Sequence, residues 1–313
     1  MANPADVYVT ALAYELGEHE HPLDELTVVL PGVRASLREA GLRHYRTTER
    51  TPLELARCAL AGTLERADPA VRGEISHVIY ATNTMWRVEF ADAAALGDLL
   101  TGLGLHRAYP IGLFLSYCAN LQASLEVAAA LIRAGQAEHV LVVCTDKTDP
   151  ESDRLVQPKI SVHSDAAASF LLTSEPVPGA YRLRRTVLHI DPSLGVLHPE
   201  ERFVEYLSAV SESVVKVVNN TVTGLGLTVA DITKVFPNNY NHWVSRIIGD
   251  LAGFHADQVY LDNIPRFAHA LAADGVINLS DWSASASTTP GDHLLLLGAG
   301  PTQWGCSVLE VMT

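Results

Sequence analysis

The sequence predicts an α/β protein whose sheets are covered by helices on both faces. Short apolar segments alternate with segments of helical periodicity along all 313 residues. Continuous apolar strands of this kind are typical of sheets buried between helices. The pattern begins again after Pro176, which favours two duplicated α/β halves, residues 1–175 and 176–313.

In the first half, the clearest helix is predicted over residues 52–66. Leu53, Leu60 and Leu64 lie near one another on a helical wheel there. A second helix is predicted over residues 90–103. Buried strands are predicted over residues 7–13, 77–82, 139–145 and 166–172.

The second half shows the same alternation of apolar runs and helical periodicity. A long helix is predicted over residues 203–222 and a shorter one over 243–251. Strands are predicted over residues 183–190, 232–236, 259–261, 293–297 and 306–312.

The charge and the hydropathy pattern exclude several classes of protein. The formal net charge is −14, and such a surface repels nucleic acid and any acidic carrier protein that does not meet a local basic patch. No run approaches the roughly 20 apolar residues that span a bilayer. The N-terminus lacks a basic segment followed by an apolar one. We therefore expect a cytoplasmic protein that binds neither membrane nor nucleic acid.

The four cysteines are Cys58, Cys118, Cys144 and Cys306. None forms a Cys-x-x-Cys pair or has the spacing of metal ligands. We expect reduced thiols, no bound metal and no cofactor, and three of the four are interpreted as ordinary core residues.

Cys118 occupies the most informative position of the four. An apolar segment ends at Tyr117, and a helix rich in Ala and Leu follows, with Gly135 as its C-cap. The N-terminus of a helix favours the thiolate form of a cysteine, and a thiolate is a good acyl acceptor. The competing interpretation is that Cys118 is one more small core residue.

Six segments, in the same order, are similar to motifs of the thiolase superfamily, and especially to its β-ketoacyl-ACP synthase III branch. They are residues 41–46 (Gly-Ile-Arg in the family), 78–83 (its second strand), 163–168 (Gly-Asp-Gly-Ala), 236–241 (Val-Pro-His-Gln-Ala-Asn), 268–274 (Gly-Asn-Thr-Ser-Ala-Ala-Ser) and 298–305 (Gly-Gly-Gly-Phe-Thr-Trp-Gly). Cys118 falls on the family's nucleophile. The resemblance implies a thiolase-like fold with layers in the order αβαβα. It also implies a homodimer, and an acyl-CoA or a phosphopantetheinyl acyl carrier protein as the donor.

The departures from the family pattern concern the base. Asn238 stands where the family has its catalytic histidine, and His269 stands where it has its catalytic asparagine. Asp274 follows and can orient an imidazole. The chain thereby resembles a small branch from antibiotic biosynthesis that has a Cys/His/Asp triad and transfers acyl groups to hydroxyls or carrier thiols.

This resemblance implies an acyl-enzyme mechanism. Cys118 takes the acyl group, and His269, oriented by Asp274, deprotonates a small-molecule acceptor. The backbone N–H groups of Cys118 and Gly300 form the oxyanion hole. Asn238 donates to the acyl carbonyl or positions the acceptor.

Two further residues are candidates for the pocket, His189 and Trp86. His189 can equally be a structural histidine, and Trp86 can equally be an aromatic residue of the core. Asp274 can equally cap a turn, and Asn238 and Asn239 can be turn formers. His163 and Asp165 are expected to stabilise the loop behind the nucleophile.

The family's phosphate-binding arginines correspond to about Glu39 and Trp243 here, and neither side chain replaces a guanidinium. Arg38, Arg43 and Arg246 are the candidate substitutes.

Two other functions remain open from the sequence. One is decarboxylative condensation of a starter unit with a malonyl thioester, which the missing histidine at Asn238 disfavours. The other is a catalytically inactive partner subunit of the same fold, against which the presence of Cys118 weighs.

Overall fold

The computed structural model describes residues 6–83, 93–149, 151–156, 159–197 and 201–312. The strands are β1 (Tyr8–Leu16), β2 (His19–Pro22), β3 (His44–Thr47), β4 (Ile75–Ala81), β5 (Tyr109–Leu113), β6 (His139–Asp146), β7 (Leu155–Val156), β8 (Ser161–Val162), β9 (Ala166–Thr173), β10 (Tyr181–Ile190), β11 (Ile232–Pro237), β12 (His293–Ala299) and β13 (Gln303–Val311). The helices are α1 (Pro31–Glu39), α2 (Pro52–Arg66), α3 (Ala93–Gly102), α4 (Asn120–Arg133), α5 (Phe203–Thr223), α6 (His242–Ala252), α7 (Ile264–Phe267) and α8 (Asp274–Ser285).

Nine strands form one hydrogen-bonded sheet in the order β11-β12-β13-β10-β1-β9-β6-β4-β5. The order falls into two groups, since β1 and β10 share only two register pairs, Tyr8 with Arg182 and Val9 with Tyr181. One group holds the strands up to β9, and the other holds those from β10 onward. The boundary predicted between residues 175 and 176 lies in the connection between β9 and β10, and the duplication itself stays a prediction.

Helices and strand groups alternate in five layers, as predicted. Helix α2 packs on β1, β6 and β9, and α5 packs on β10, β13 and α6. Between the two strand groups lie α4 and α8, which contact strands of both. Because α4 and α8 are covered on two sides, their first turns meet in the interior of the molecule, where the candidate site is found.

Local sequence explains the helix bounds. Helix α2 starts at a capping box in which the Thr51 side chain accepts from the Glu54 N–H while the Glu54 side chain accepts from the Thr51 N–H. Its observed range equals the predicted one. After α4, Gly135 adopts a φ of 68°, as expected of a glycine that ends a helix.

One predicted element is wrong. Residues 259–261 do not form a strand, because Val259 makes only an isolated bridge to Val235 before the chain turns toward α7. The other predicted strands and helices are found within a few residues of their expected bounds, insofar as they fall in the described ranges. In this described part of the chain, no helix is both long enough and apolar enough to cross a bilayer.

Candidate active site

Cys118 lies in a tight 3-10 turn, Tyr117–Ala119, that leads directly into α4. Tyr117 has a φ of 49°, a left-handed conformation that a bulky residue adopts only where its surroundings impose it. Two glycines leave room for the backbone of this turn to pack closely against its neighbours. A Cβ added at Gly298 would lie 2.8 Å from the Cys118 carbonyl oxygen, and one at Gly300 would lie 2.9 Å from the Tyr117 Cβ.

The structure brings the three predicted catalytic residues together. The Sγ atom of Cys118 lies 3.2 Å from Nε2 of His269, and Nδ1 of His269 lies 2.5 Å from Oδ2 of Asp274. The exposed fraction is 8% for Cys118 and 0% for His269 and Asp274. Sulfur, imidazole and carboxylate therefore form one continuous chain of contacts that is nearly closed to solvent.

The backbone of His269 is fixed from both sides. Its N–H donates to the Val162 carbonyl oxygen at 3.0 Å, and its own carbonyl accepts from the Ser164 N–H at 2.8 Å. Ala268 and Leu271, close to it on either side, have φ values of 56° and 53°. Strained conformations of this kind persist only where the surroundings determine them. The segment is thus held in the shape that points the imidazole at Cys118.

Asp274 is the first residue of α8, and its carboxylate is held by donors besides His269. The backbone N–H groups of Asn239 and Ala270 donate to it at 2.8 and 2.7 Å, and the Asn239 side chain donates at 3.3 Å. Asn278, one turn later in α8, accepts from Asn263 and donates to Asn239. This buried amide network fixes the carboxylate that orients His269.

The sequence analysis missed this network. It treated Asn239 as a turn former and did not consider Asn263 or Asn278. A buried amide carries no periodic signal, so only the fold reveals which amides meet. The one available hint is that Asn239 directly follows a predicted buried strand and lies beside the exchanged position Asn238.

The charge of the site favours a protonated imidazole. Burial by itself acts to lower the pKa of His269, but the adjacent Asp274 carboxylate and Cys118 outweigh it and raise that pKa to about 10. A protonated His269 between sulfur and carboxylate stabilises negative charge on Cys118.

Tyr240 packs against His269 at the edge of the site. Its ring centroid lies 4.9 Å from that of His269, and its hydroxyl donates a short hydrogen bond to the Ala299 carbonyl oxygen. Burial, followed by the nearby Cys118, raises the pKa of the Tyr240 hydroxyl well above its ordinary value. The phenol therefore stays protonated and neutral beside the sulfur.

A cavity of about 600 Å³ opens onto Cys118 and His269. Its apolar lining residues include Leu155, Val156, Ile160, Leu194 and Leu197, and its polar ones include Asp149, Asp153 and His163. Among the described lining residues there is no Lys or Arg. The cavity thus offers apolar contacts for an acyl chain and polar contacts for a second group.

Asn238 does not line this cavity. Its Nδ2 donates to the Leu271 carbonyl at 3.0 Å, and its Oδ1 accepts from the Ala299 N–H at 2.9 Å. Both ends of the amide are therefore occupied by backbone groups, and the side chain is buried. This geometry does not support Asn238 as a substrate-binding residue. Its side chain instead links two loops of the site through their backbone groups.

The other candidates for the pocket and the oxyanion hole are His189, Gly300 and Trp86. His189, on β10, has its ring centroid 5.9 Å from that of Trp304 and is not among the described cavity-lining residues, so its place in the pocket stays a prediction. Gly300 lines the cavity, but its N–H donates to the Gln303 carbonyl at 2.6 Å. That bond occupies the donor assigned to the oxyanion hole. Trp86 lies outside the described residues.

Asp165 forms a buried ion pair with Arg154. Its two oxygens accept from Arg154 at 3.0 Å each, and further from the N–H groups of Thr48 and Thr148. These charge-assisted bonds fix the segment just after His163, and a role of His163 and Asp165 behind the nucleophile stays a prediction.

Two of the three candidate phosphate-binding arginines, Arg43 and Arg246, act electrostatically on His242, the first residue of α6. Burial, then Arg246 and to a smaller extent Arg43, lowers the pKa of His242. Arg43 also donates to the carbonyls of Arg38 and Leu42, while Arg38 is paired with Asp24. Neither Arg43 nor Arg246 lies in the wall of the cavity.

The profile of the C-terminal part of 3-oxoacyl-[acyl-carrier-protein] synthase III matches residues 223–311, and the profile of the same enzyme's preceding part matches residues 115–192. Together they cover more than half of the chain. The chain belongs to the 3-oxoacyl-[acyl-carrier-protein] synthase III family. The predicted resemblance is thereby confirmed, and with it membership of a family of transferase and synthase enzymes.

Curated members of the synthase III family match the chain over most of its length. The β-ketoacyl-[acyl-carrier-protein] synthase III of Nitratidesulfovibrio vulgaris strain DP4 is 26% identical over 290 residues, which cover 84% of each chain. That of Sphingopyxis alaskensis is 26% identical over 315 residues, covering 95% of this chain and 93% of its own.

Solved structures confirm the predicted thiolase-like α/β fold. The acyltransferase ChlB3 superposes with a TM-score of 0.84 at 22% identity, covering 98% of both chains. The priming β-ketosynthase of the R1128 polyketide pathway superposes with a TM-score of 0.79 at 21% identity, covering 100% of this chain and 98% of that one. At such identities the likeness establishes the fold.

Proposed function

We propose that this synthase III family member is an acyltransferase of natural-product biosynthesis. It would move an acyl group from a thioester donor, through acyl-Cys118, to an O, N or S acceptor. The observation that carries the proposal is the unbroken chain from Cys118 through His269 to Asp274, with separations of 3.2 and 2.5 Å. These contacts hold an oriented imidazole next to the Cys118 sulfur, as acyl transfer to a protic acceptor requires.

In the first step, the Cys118 thiolate attacks the thioester carbonyl of the donor. The C=O bond opens to an oxyanion, and the backbone N–H of Cys118, just before α4, is the proposed donor to it. The intermediate collapses, the bond to the donor sulfur breaks, and His269 gives its proton to the departing thiolate. The acyl group is then held on Cys118, and the imidazole is neutral.

In the second step, neutral His269 takes the proton of an acceptor hydroxyl, amine or thiol as that atom attacks the acyl-cysteine. Asp274 stabilises the imidazolium that forms. The second intermediate expels the Cys118 thiolate, so that the protonated His269 and the thiolate are regenerated together. The proposed step uses no cofactor beyond the donor thioester.

The alternative is decarboxylative condensation of a starter unit, and the geometry gives it less support. Enolate formation in this family uses a histidine at the position of Asn238, whose amide is here bonded to the backbone at both ends. The described lining residues of the cavity also include Asp149 and Asp153. Their negative charge opposes a malonate carboxylate. Retention of Cys118 beside His269 likewise disfavours an inactive partner subunit.

The donor would be an acyl-CoA or an acyl carrier protein, and the acceptor a small molecule. Arg43 and Arg246 are the proposed contacts for donor phosphates, since both act electrostatically on His242 and the protein is otherwise acidic. Substitution of both by Gln should raise the KM for the donor without changing the rate of alkylation of Cys118.

We also expect a homodimer. Strand β5 lies at the end of the strand order, and Tyr109 and Leu115 nearby are 69% and 66% exposed. An unpaired strand edge with exposed apolar neighbours is suited to association with a second copy. Light scattering on the purified protein tests this expectation.

The deciding experiment offers the acyl-loaded protein two kinds of acceptor. Hydroxyl, amine and thiol acceptors should release the acyl group from Cys118 as an ester, amide or thioester. A malonyl carrier protein should give neither CO₂ nor a β-ketoacyl product. Robust CO₂ release with a condensed product would replace the proposal by the condensation alternative.

A further inference from the structure

Tyr240 is the residue of the site that the mechanism above leaves without a role. It lines the cavity together with Cys118 and His269, and its side chain is 9% exposed. Its phenol ring packs against the His269 imidazole at a centroid distance of 4.9 Å. In the family motif that residues 236–241 resemble, the corresponding position is alanine, which has no hydrogen-bonding group.

The oxyanion hole lacks a donor in the expected place. The Gly300 N–H was expected to point at the thioester oxygen, but it donates to Gln303 within its own turn. A backbone N–H has a fixed direction, so this donor is not free to turn toward a substrate. Removal of one oxyanion donor typically costs on the order of 10²-fold in rate, so a second donor beside the Cys118 N–H would speed the reaction substantially.

The Tyr240 hydroxyl has the properties of that second donor. It donates to the Ala299 carbonyl, which lies in the same glycine-rich turn as Gly300. A hydroxyl proton rotates about its C–O bond, so one hydroxyl can exchange one acceptor for another. The Tyr240 ring packs on His269, whose Nε2 lies 3.2 Å from the Cys118 sulfur. The residue therefore lines the same cavity as the reacting centre.

We propose that Tyr240 is a catalytic residue whose hydroxyl donates a hydrogen bond to the negative charge of the reacting centre. The acceptor is the Ala299 carbonyl oxygen before attack and the thioester oxygen during attack. No proton is transferred from the phenol. Its O–H leaves Ala299 as the C=O bond opens and returns when the oxyanion collapses. This role rests on the proposed acyl-Cys118 chemistry and adds the donor that Gly300 does not supply.

The test compares Tyr240→Phe with Tyr181→Phe. Tyr181 is also buried and also makes a hydroxyl hydrogen bond, at 2.7 Å to Ser283, but it lies outside the site. Rapid-quench loading with an accepted acyl thioester should be slowed by roughly 10²-fold in Y240F and unchanged in Y181F. Alkylation of Cys118 by iodoacetamide at neutral pH forms no oxyanion, so its rate should be unchanged in both variants.

A third variant guards against misfolding. Replacement of Tyr240 by 3-fluorotyrosine keeps the ring and the bond to Ala299 but makes the phenol a stronger donor. Loading should then be faster than in the wild type. Equal loading rates in the wild type, Y240F and the fluorotyrosine protein would overturn the proposal.

Failure of the proposed function itself gives a different result. A wild-type protein that takes no acyl group from any donor would refute acyl transfer. Normal loading in the wild type with equal loading in Y240F would overturn the role of Tyr240 alone.

Discussion

The Sγ atom of Cys118 lies 3.2 Å from Nε2 of His269, although the two residues are 151 positions apart. The turn before α4 presents the sulfur, and a strained segment before α8 presents the ring. Because α4 and α8 both lie between the two strand groups, the contact is a direct consequence of the layered fold. The predictions below follow from this contact and from the residues that hold it.

Replacement of His269 by Asn should lower the rate at which Cys118 reacts with iodoacetamide near neutral pH. His269 has a pKa raised to about 10, so it is a cation beside the sulfur throughout this range and favours the thiolate. In H269N the reaction should require higher pH. His255→Asn, at an exposed loop position, is the matched control and should react as the wild type does. Identical pH profiles for H269N and wild type would contradict the electrostatic role.

The stability that His269 contributes should depend on pH with a definite sign. The pKa of His269 is about 10 in the folded chain and about 6.5 in an unfolded one. Its contribution to the free energy of unfolding is therefore complete below about pH 6.5 and is lost as pH rises toward 10. Urea denaturation should show a wild-type advantage over H269N that shrinks between about pH 6 and about pH 9.5. An advantage that grows with pH would refute the assignment.

Replacement of Asn278 by Ala should destabilise the protein by about 1–3 kcal/mol. The change leaves Asn239 and Asn263 without their shared buried partner and loosens the support of Asp274. Asn219→Ala, at an exposed position of α5, is the control and should be near neutral. Denaturant titration gives both free energies. An N278A protein as stable as N219A would show that the amide network does not hold α8.

Replacement of Gly298 by Ala should disturb the nucleophile turn. The added Cβ would lie 2.8 Å from the Cys118 carbonyl oxygen and 2.9 Å from the Ala119 Cα, and both atoms belong to backbone that cannot rotate away. Overpacking of this kind costs roughly 1–3 kcal/mol. We expect a lower Tm and slower alkylation of Cys118. Gly32→Ala, whose Cβ meets nothing within 4 Å, should leave both measurements unchanged. Equal Tm values and equal alkylation rates in the two variants would mean that the turn accommodates the added methyl group without strain.

Sequence periodicity was sufficient for the regular elements. The bounds of α2 follow from the spacing of Leu53, Leu60 and Leu64, and a capping box fixes its start. The apolar run at residues 139–145 forms a strand, and every residue in it except His139 is buried. Residues 259–261 have the same composition as a strand but only bridge Val235, since the order of strands depends on contacts between distant segments that periodicity does not encode.

The reacting groups were predictable and much of their support was not. Cys118, His269 and Asp274 lie on motifs with fixed spacing, so similarity to known motifs identified them. The position of Asn238 was recognised, but its amide turned out to face the backbone of Leu271 and Ala299. Tyr240 and the amides around Asp274 were missed because their roles depend on direction and burial, which a sequence does not specify.

The most direct test of the central claim is intact-protein mass spectrometry after incubation with a panel of acyl-CoA and acyl-carrier thioesters. The account predicts a mass gain of one acyl group in the wild type, located on the peptide that contains Cys118. It also predicts no gain in Cys118→Ala and a gain in Cys144→Ala, whose thiol is buried away from the cavity. An acyl group that persists in the Cys118→Ala protein, or a wild type that gains no mass from any thioester, would contradict the account.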